Sequence, residues 1–149
     1  MKNLFNNESL TEVLQRIDSL QLDSERQWGK MEVGQMVAHC SETMKMATGQ
    51  RFPPRVFVGR IIGRFFKPNY YNEKPFPKGS PTSKSAVITD MRDLDKEKVI
   101  LKSLVLQFYE GNSAKCTRHP HPFFGHLTPE QWSIGMYKHL DHHLRQFSR

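Results

Sequence analysis

Apolar residues recur at helical spacing along most of the chain. Leu10, Val13, Leu14, Ile17 and Leu20 follow the capping box Ser9-Leu10-Thr11-Glu12 and predict a first helix from Leu10 to Gln21. Val33, Met36, Val37, Cys40, Met44 and Ala47 form the stripe of a second helix, Glu32 to Thr48, with Gly49 as its stop. After Pro53-Pro54, the run from Arg55 to Lys67 predicts a short third helix with Phe57, Ile61, Ile62 and Phe65 on one side. Gly59 and Gly63, four apart, would let a neighbouring helix come close. Pro68 to Asp90 reads as a loop, because Pro75, Pro77, Gly79, Ser80 and Pro81 forbid a long regular element. So long a connection suggests a crossover that covers the mouth of a site. Asp93 caps a fourth helix to Glu110, carrying Leu94, Leu101, Leu104, Val105 and Phe108 and stopping at Gly111. Residues 112–127 return to loop. Thr128-Pro129-Glu130-Gln131 is a capping box with proline at the first helical position, so a last helix starts at Pro129 and runs to the C-terminus. Gly135 inside it reads as a tolerable cost of roughly 1 kcal/mol against alanine.

On that last helix Trp132, Met136, Leu140 and Phe147 share the core side, and His139 and His143 fall among them. One turn apart, their rings point the same way. Neutral, hydrogen-bonded core histidines and a shared divalent metal are both compatible with this spacing. Two protonated rings side by side in a poor dielectric are not. The run His139-Leu140-Asp141-His142-His143 has leucine where HExxH needs its glutamate, which excludes a zincin metalloprotease. His142 points to one side of the pair and reads as a neighbour. His39, on the shoulder of the second helix's stripe near Thr43 and Met46, reads by itself as exposed or half-buried. Beside a histidine pair it becomes a third ligand of the sort catalytic zinc sites use. Cys40 belongs to the packing stripe. His119, His121 and His126, separated by prolines, read as surface loop histidines outside any ligand set.

The length of 149 residues predicts one domain, residues 1–149, with a real core. No apolar run has membrane-spanning length, and the opening MKNLFNNESL lacks a signal peptide's features, which predicts a soluble cytoplasmic protein. Cys40 and Cys116 are too few for a disulfide framework. The formal charge of +7 is uneven: residues 51–102 hold twelve Lys/Arg and five Asp/Glu, and 12 − 5 already gives +7. All of that net charge sits in the basic stretch 51–84, since the four Lys/Arg of residues 85–102 are matched by four Asp/Glu. A basic amphipathic third helix can lie on a membrane surface, but a bundle helix with a solvated basic face is the commoner arrangement and the one expected.

Three blocks carry a resemblance over nearly the whole chain, Lys2 to Phe147. They are Trp28-Gly29-Lys30-Met31 with Gln35-Met36-Val37-Ala38-His39-Cys40, then Arg118-His119-Pro120 with Pro122-Phe123-Phe124-Gly125, and then Met136 through Phe147. The sequence resembles the DinB-like superfamily of metal-binding four-helix bundles, within it a bacterial subfamily without an established activity. The resemblance implies an all-α, up-down-down-up four-helix bundle with a short extra helix and a long crossover loop. It also implies one divalent metal held by a histidine on the second helix and an HxxxH pair on the last, here His39, His139 and His143. Gln146 matches a glutamine common after the pair and would hold a ligand ring by its other nitrogen. Characterised branches of the superfamily use low-molecular-weight thiols in S-transfer, or isomerise maleylpyruvate.

Three histidines suit zinc or nickel, with iron(II) also compatible, and leave coordination positions open. The leading expectation is a metal-dependent enzyme of the thiol S-transferase or hydrolase type, acting on a small molecule. A low-molecular-weight thiol would be its cofactor and the basic 51–84 stretch would supply counter-charges. The alternative is a non-catalytic metal-binding bundle that acts as a sensor or interaction module. Nucleic acid is not expected as a partner, because charge alone supports it without any helix-turn-helix or RNA-binding signature. A homodimer is expected, with Phe123 and Phe124 exposed to serve it.

Overall fold

A computed structural model gives the protein's structure and describes residues 1–80 and 86–149. Pro81 and Lys84, which the sequence assigns to the crossover loop and the basic stretch, lie outside the described residues. The chain is all-α. Its helices are α1 (Asn7–Asp18), α2 (Val33–Ala47), α3 (Phe57–Tyr71), α4 (Leu94–Lys115) and α5 (Pro129–Arg145). Among the described residues there is no strand, only an isolated bridge between His121 and Gly125.

The predicted helices are present, with instructive differences at their ends. α1 begins ahead of Ser9, because Asn6 Oδ1 accepts from the N–H groups of Glu8 and Ser9 and so caps the helix itself. It stops at Asp18, where Lys98 Nζ donates to the Asp18 and Leu20 carbonyls at 2.9 and 3.0 Å. A cation at that end also complements the helix dipole. α2 matches its predicted span within a residue at each end, with Gly49 just past it at φ +71°. α4 departs from helical geometry at Asn112 (φ 48°, ψ −155°), next to the predicted stop at Gly111, before one more turn to Lys115. α5 has the full capping box: Gln131 N–H donates to Thr128 Oγ1 at 3.2 Å and Thr128 N–H to Gln131 Oε1 at 3.1 Å.

α3 is the larger correction. Pro68 was expected to end it, yet the helix continues to Tyr71. Proline removes one N–H from the ladder. Tertiary contacts hold the following turn: Tyr70 is buried, and Lys138 Nζ donates to the Asn69 carbonyl at 2.7 Å and to Asn72 Oδ1 at 2.9 Å. Burial lowers the Lys138 ammonium to about 8. Gly59 and Gly63 do allow a close approach, but to the backbone of Phe123 and not to another helix.

The last helix touches each of the other four. Trp132, Met136, Leu140, Leu144 and the following Phe147 are all buried, and so are Ser133, Gly135 and Tyr137, which lie off that stripe. A helix covered nearly all round belongs in the interior. Leu4 and Phe5 lie against it, their N–H groups donating to the Ser133 carbonyl and hydroxyl. Arg16 of α1 pairs with Asp141 of α5 at 2.9 Å, with both side chains largely covered. This central position brings the histidines of α5 face to face with α2.

Candidate metal site

His39, His139 and His143 meet between α2 and α5, and one ring nitrogen from each lies within 4.8 Å of the other two. His39 is 2% exposed and His143 7% exposed. The sequence expectation of an exposed or half-buried His39 is therefore corrected: the shoulder of its stripe is covered by α5 and by Ala86. His139 is half-buried.

Each ring's outer nitrogen has a partner that decides where its proton sits. His39 Nδ1 lies 2.8 Å from the Ala86 carbonyl, which can only accept. His143 Nδ1 lies 3.0 Å from Gln146 Oε1. The Gln146 amide cannot be turned round, because its Nε2 donates to the Trp28 carbonyl at 2.6 Å. His139 Nδ1 lies 3.2 Å from Thr43 Oγ1, whose own proton goes to the Cys40 carbonyl at 2.8 Å. The Ala86 carbonyl and the anchored Gln146 amide place the His39 and His143 protons on Nδ1 and leave their Nε2 lone pairs bare, and His139 takes the same tautomer when the Thr43 hydroxyl donates to the Cys40 carbonyl. His39 Nε2 and His139 Nε2 are 3.1 Å apart. With both protons on the outer nitrogens, these two lone pairs cannot bond to each other, and they repel unless a positive ion lies between them.

Burial also keeps the rings neutral. It lowers His143 to about 3, with the neighbouring His39 adding to the effect and the Gln146 bond opposing it. It lowers His39, and His139 well below its ordinary value, where His143 and His39 add to the effect. Three neutral imidazoles with converging lone pairs and anchored outer nitrogens are the donor set a divalent transition metal takes. The cluster can hold such an ion.

His142 is not in the cluster. Its ring sits 5.1 Å from that of His143, between Trp28 at 5.6 Å and Phe76 at 6.3 Å. Gln146 was expected to hold a ligand ring, and it touches His143 while anchoring the Trp28 segment. Gln27 N–H adds a bond to the Gln146 carbonyl at 2.8 Å. Gln146→Leu should lower metal affinity about 10–100-fold, by freeing the His143 ring and leaving the Trp28 carbonyl without its donor. Competition titration with a chelating dye measures this, and an unchanged affinity would remove Gln146 from the site. Sequence reasoning missed two members. Thr43 stands one turn after His39 on the same face, so its spacing could have found it. Ala86 acts through its backbone carbonyl, which no side-chain pattern reveals.

The loop histidines follow the expectation only in part. His126 is exposed, but His121 is not a surface residue. Its Nδ1 accepts from the N–H groups of Phe123 and Phe124 at 3.1 and 3.2 Å, and its ring packs on Tyr70, Phe124 and Trp132. Phe123 and Phe124, expected to be exposed, are half-buried, with Phe124 against Tyr70 at 4.8 Å. Burial lowers His121 from 6.5 to about 3, and the Arg55 charge adds to it. The unfolded chain takes up this proton near pH 6.5 and the folded one does not. Its share of stability is therefore complete above that value and declines as pH falls toward about 3, by roughly 1.4 kcal/mol per pH unit. His121→Asn should flatten the pH dependence of the urea midpoint by one proton between pH 6 and 4. An unchanged slope would mean that the ring already titrates in the folded protein.

Cys40 is buried in the core, and burial holds its thiol far above the ordinary range, consistent with packing. Cys116 is also free, raised to about 11. No described helix is long and apolar enough to cross a membrane. Comparison with curated proteins and with solved structures gives no match. The histidine-bearing helices, and the Trp28 and Ala86 segments that hold their outer nitrogens, all fall within residues 2–149, which match the model of the family described as "Protein of unknown function (DUF1569)", and the chain belongs to that family.

Proposed function

We propose that this protein is a divalent-metal-dependent enzyme of the thiol S-transferase or hydrolase type, with His39, His139 and His143 as ligands. The observation that carries the reading is the meeting of the three rings, one nitrogen of each within 4.8 Å of the other two and the His39 and His139 Nε2 atoms 3.1 Å apart. The helix contacts suit a four-helix bundle of the DinB-like kind, α3 being the extra helix. Three protein ligands leave positions open for a reactant, and imidazole favours zinc or nickel. A bound divalent ion supplies the Lewis acidity that ionises a thiol or a water near neutral pH.

The chain's own groups then bind and orient. Gln146, Thr43 and the Ala86 carbonyl fix the three rings. Trp28 lies on His142, and its buried Nε1–H has no hydrogen-bond partner among the described residues. A buried donor of this kind takes an acceptor oxygen, from water or from a bound reactant. Lys78 Nζ stands 4.5 Å from the centre of the Trp28 ring, an ammonium suited to a carboxylate on a small thiol. In S-transfer the ionised sulfur bonds to an electrophilic carbon, the leaving group departs with its electron pair, and the thiol proton passes to solvent.

The test is a screen of low-molecular-weight thiols with alkyl, acyl and epoxide electrophiles, and of esters and amides with water, using fully metal-loaded protein beside His139→Ala. Metal-dependent turnover absent from the variant is the expected result. A fully loaded protein without turnover across the screen would replace this reading with a non-catalytic metal-binding bundle, a sensor or interaction module.

A further inference from the structure

The third helix is turned the opposite way from a bundle helix. It faces the protein with Gly59, Gly63 and Tyr70, its buried residues. A Cβ on Gly59 would come within 2.6 Å of the Phe123 carbonyl oxygen, and one on Gly63 would collide with the same atom. The apolar stripe therefore points outward. Phe57 is 75% exposed and Phe65 67% exposed, with Val58, Ile61, Ile62 and Phe66 exposed alongside them. The sequence expectation, a bundle helix with a solvated basic face and a buried apolar one, is thereby corrected. Single exposed apolar residues are ordinary, but six large ones on one helix face form a surface that water alone does not explain.

The charge around the stripe identifies what covers it. Arg60 and Arg64 are exposed on its flank, Arg64 with its guanidinium 4.6 Å from the Phe65 ring centre. No Asp or Glu occurs from Thr43 to Asn72. In a symmetric pairing of two copies through this face, each copy would bring the same arginines and no carboxylate from this segment to meet them. A phosphate-bearing lipid surface supplies both missing partners: acyl chain for the aromatic stripe and anion for the arginines. Helices of this composition lie in the interface plane and do not cross it.

We propose that α3 seats this protein on an anionic lipid surface, with Phe57, Ile61 and Phe65 inserted among the lipids and Arg60 and Arg64 on the phosphates. Membrane seating does not depend on the metal reading and concerns a different face.

The experiment is flotation of the full-length protein with vesicles of equimolar phosphatidylglycerol and phosphatidylcholine, beside vesicles of phosphatidylcholine alone. Wild type should float with the anionic vesicles and bind the neutral ones at least ~10-fold less. The Ile61→Asp/Phe65→Asp double variant should stay in the load. Each of Arg60→Ala and Arg64→Ala should weaken binding about 5-fold, and added salt should release the wild type. All four side chains are exposed, so helicity by circular dichroism should be unchanged, which separates lost binding from lost folding. No flotation of wild type, or flotation indifferent to the aspartates, overturns the proposal. So does a wild-type dimer in sedimentation that the aspartates convert to monomer while the vesicles stay bare, since that assigns the face to a second copy.

Discussion

Purified without a tag, the protein should carry about one divalent ion per chain, and His139→Ala and His143→Ala should each lose it. The expectation rests on proton positions rather than on the histidine count. The Ala86 carbonyl and the Gln146 amide each hold a ring proton on Nδ1, and the Thr43 hydroxyl accepts the third while its own proton goes to the Cys40 carbonyl. The inner nitrogens are left without protons and within 4.8 Å of one another. Such a site is unfavourable without an ion, because the converging lone pairs repel one another. Protons are poor competitors for it, since burial lowers His143 to about 3. Removing an imidazole takes away a ligand and also widens the site, so the loss should exceed the about 10–100-fold typical of removing an outer partner. Elemental mass spectrometry, with circular dichroism as the folding control, measures it. Wild-type protein that stays metal-free after incubation with zinc and with nickel would make the three histidines structural and remove the chemistry from the proposed function.

Gly135→Ala should destabilise the protein by about 2–3 kcal/mol, although alanine is the better helix former by roughly 1 kcal/mol. Read along the sequence, Gly135 is only a weak point in α5. In the structure it is where the Tyr70 ring of α3 lies, and an added Cβ would overlap ring carbons Cε1 and Cζ. Tyr70 has little room to move. It is buried, and it touches Phe124, His121, Phe76 and Trp132. The clash therefore either displaces α3 or reopens the packing around Trp132. For a chain of this size the expected loss corresponds to roughly 5–10 °C in melting temperature. Thermal unfolding by circular dichroism checks it. A melting temperature equal to or above wild type would mean that α3 is loosely docked, and the account of Pro68 would fall with it, since both depend on Tyr70 as anchor. Tyr70→Leu in the Gly135→Ala background should recover part of the loss, because the smaller side chain leaves room for the new methyl.

Local signals determined much of this protein. The Thr128–Gln131 box and Pro129 set the start of α5, Gly49 marks the end of α2, and Gly111 stands beside the break at Asn112. In each case the nearby backbone decides alone. The helical wheel placed Trp132, Met136, Leu140 and Phe147 in the core and brought His139 and His143 to one face, because an intrahelical spacing needs no knowledge of the rest of the chain. The basic bias of residues 51–102 is equally a property of composition.

Other features required the assembled structure. His39 reads as a shoulder residue until α5 and Ala86 cover it. The protons of the three rings are placed by a carbonyl, a hydroxyl and an amide from three separate segments. Pro68 fails to stop α3 because Lys138, seventy residues later, holds the Asn69 carbonyl. The orientation of α3 was the least legible feature. Its periodic pattern shows that one side is apolar, but periodicity does not say which side faces inward. Two glycines against the Phe123 backbone decide that, because only a surface without side chains lets helix and loop come so close. The apolar stripe is then left on the outside, and a sequence pattern that ordinarily means core becomes a surface.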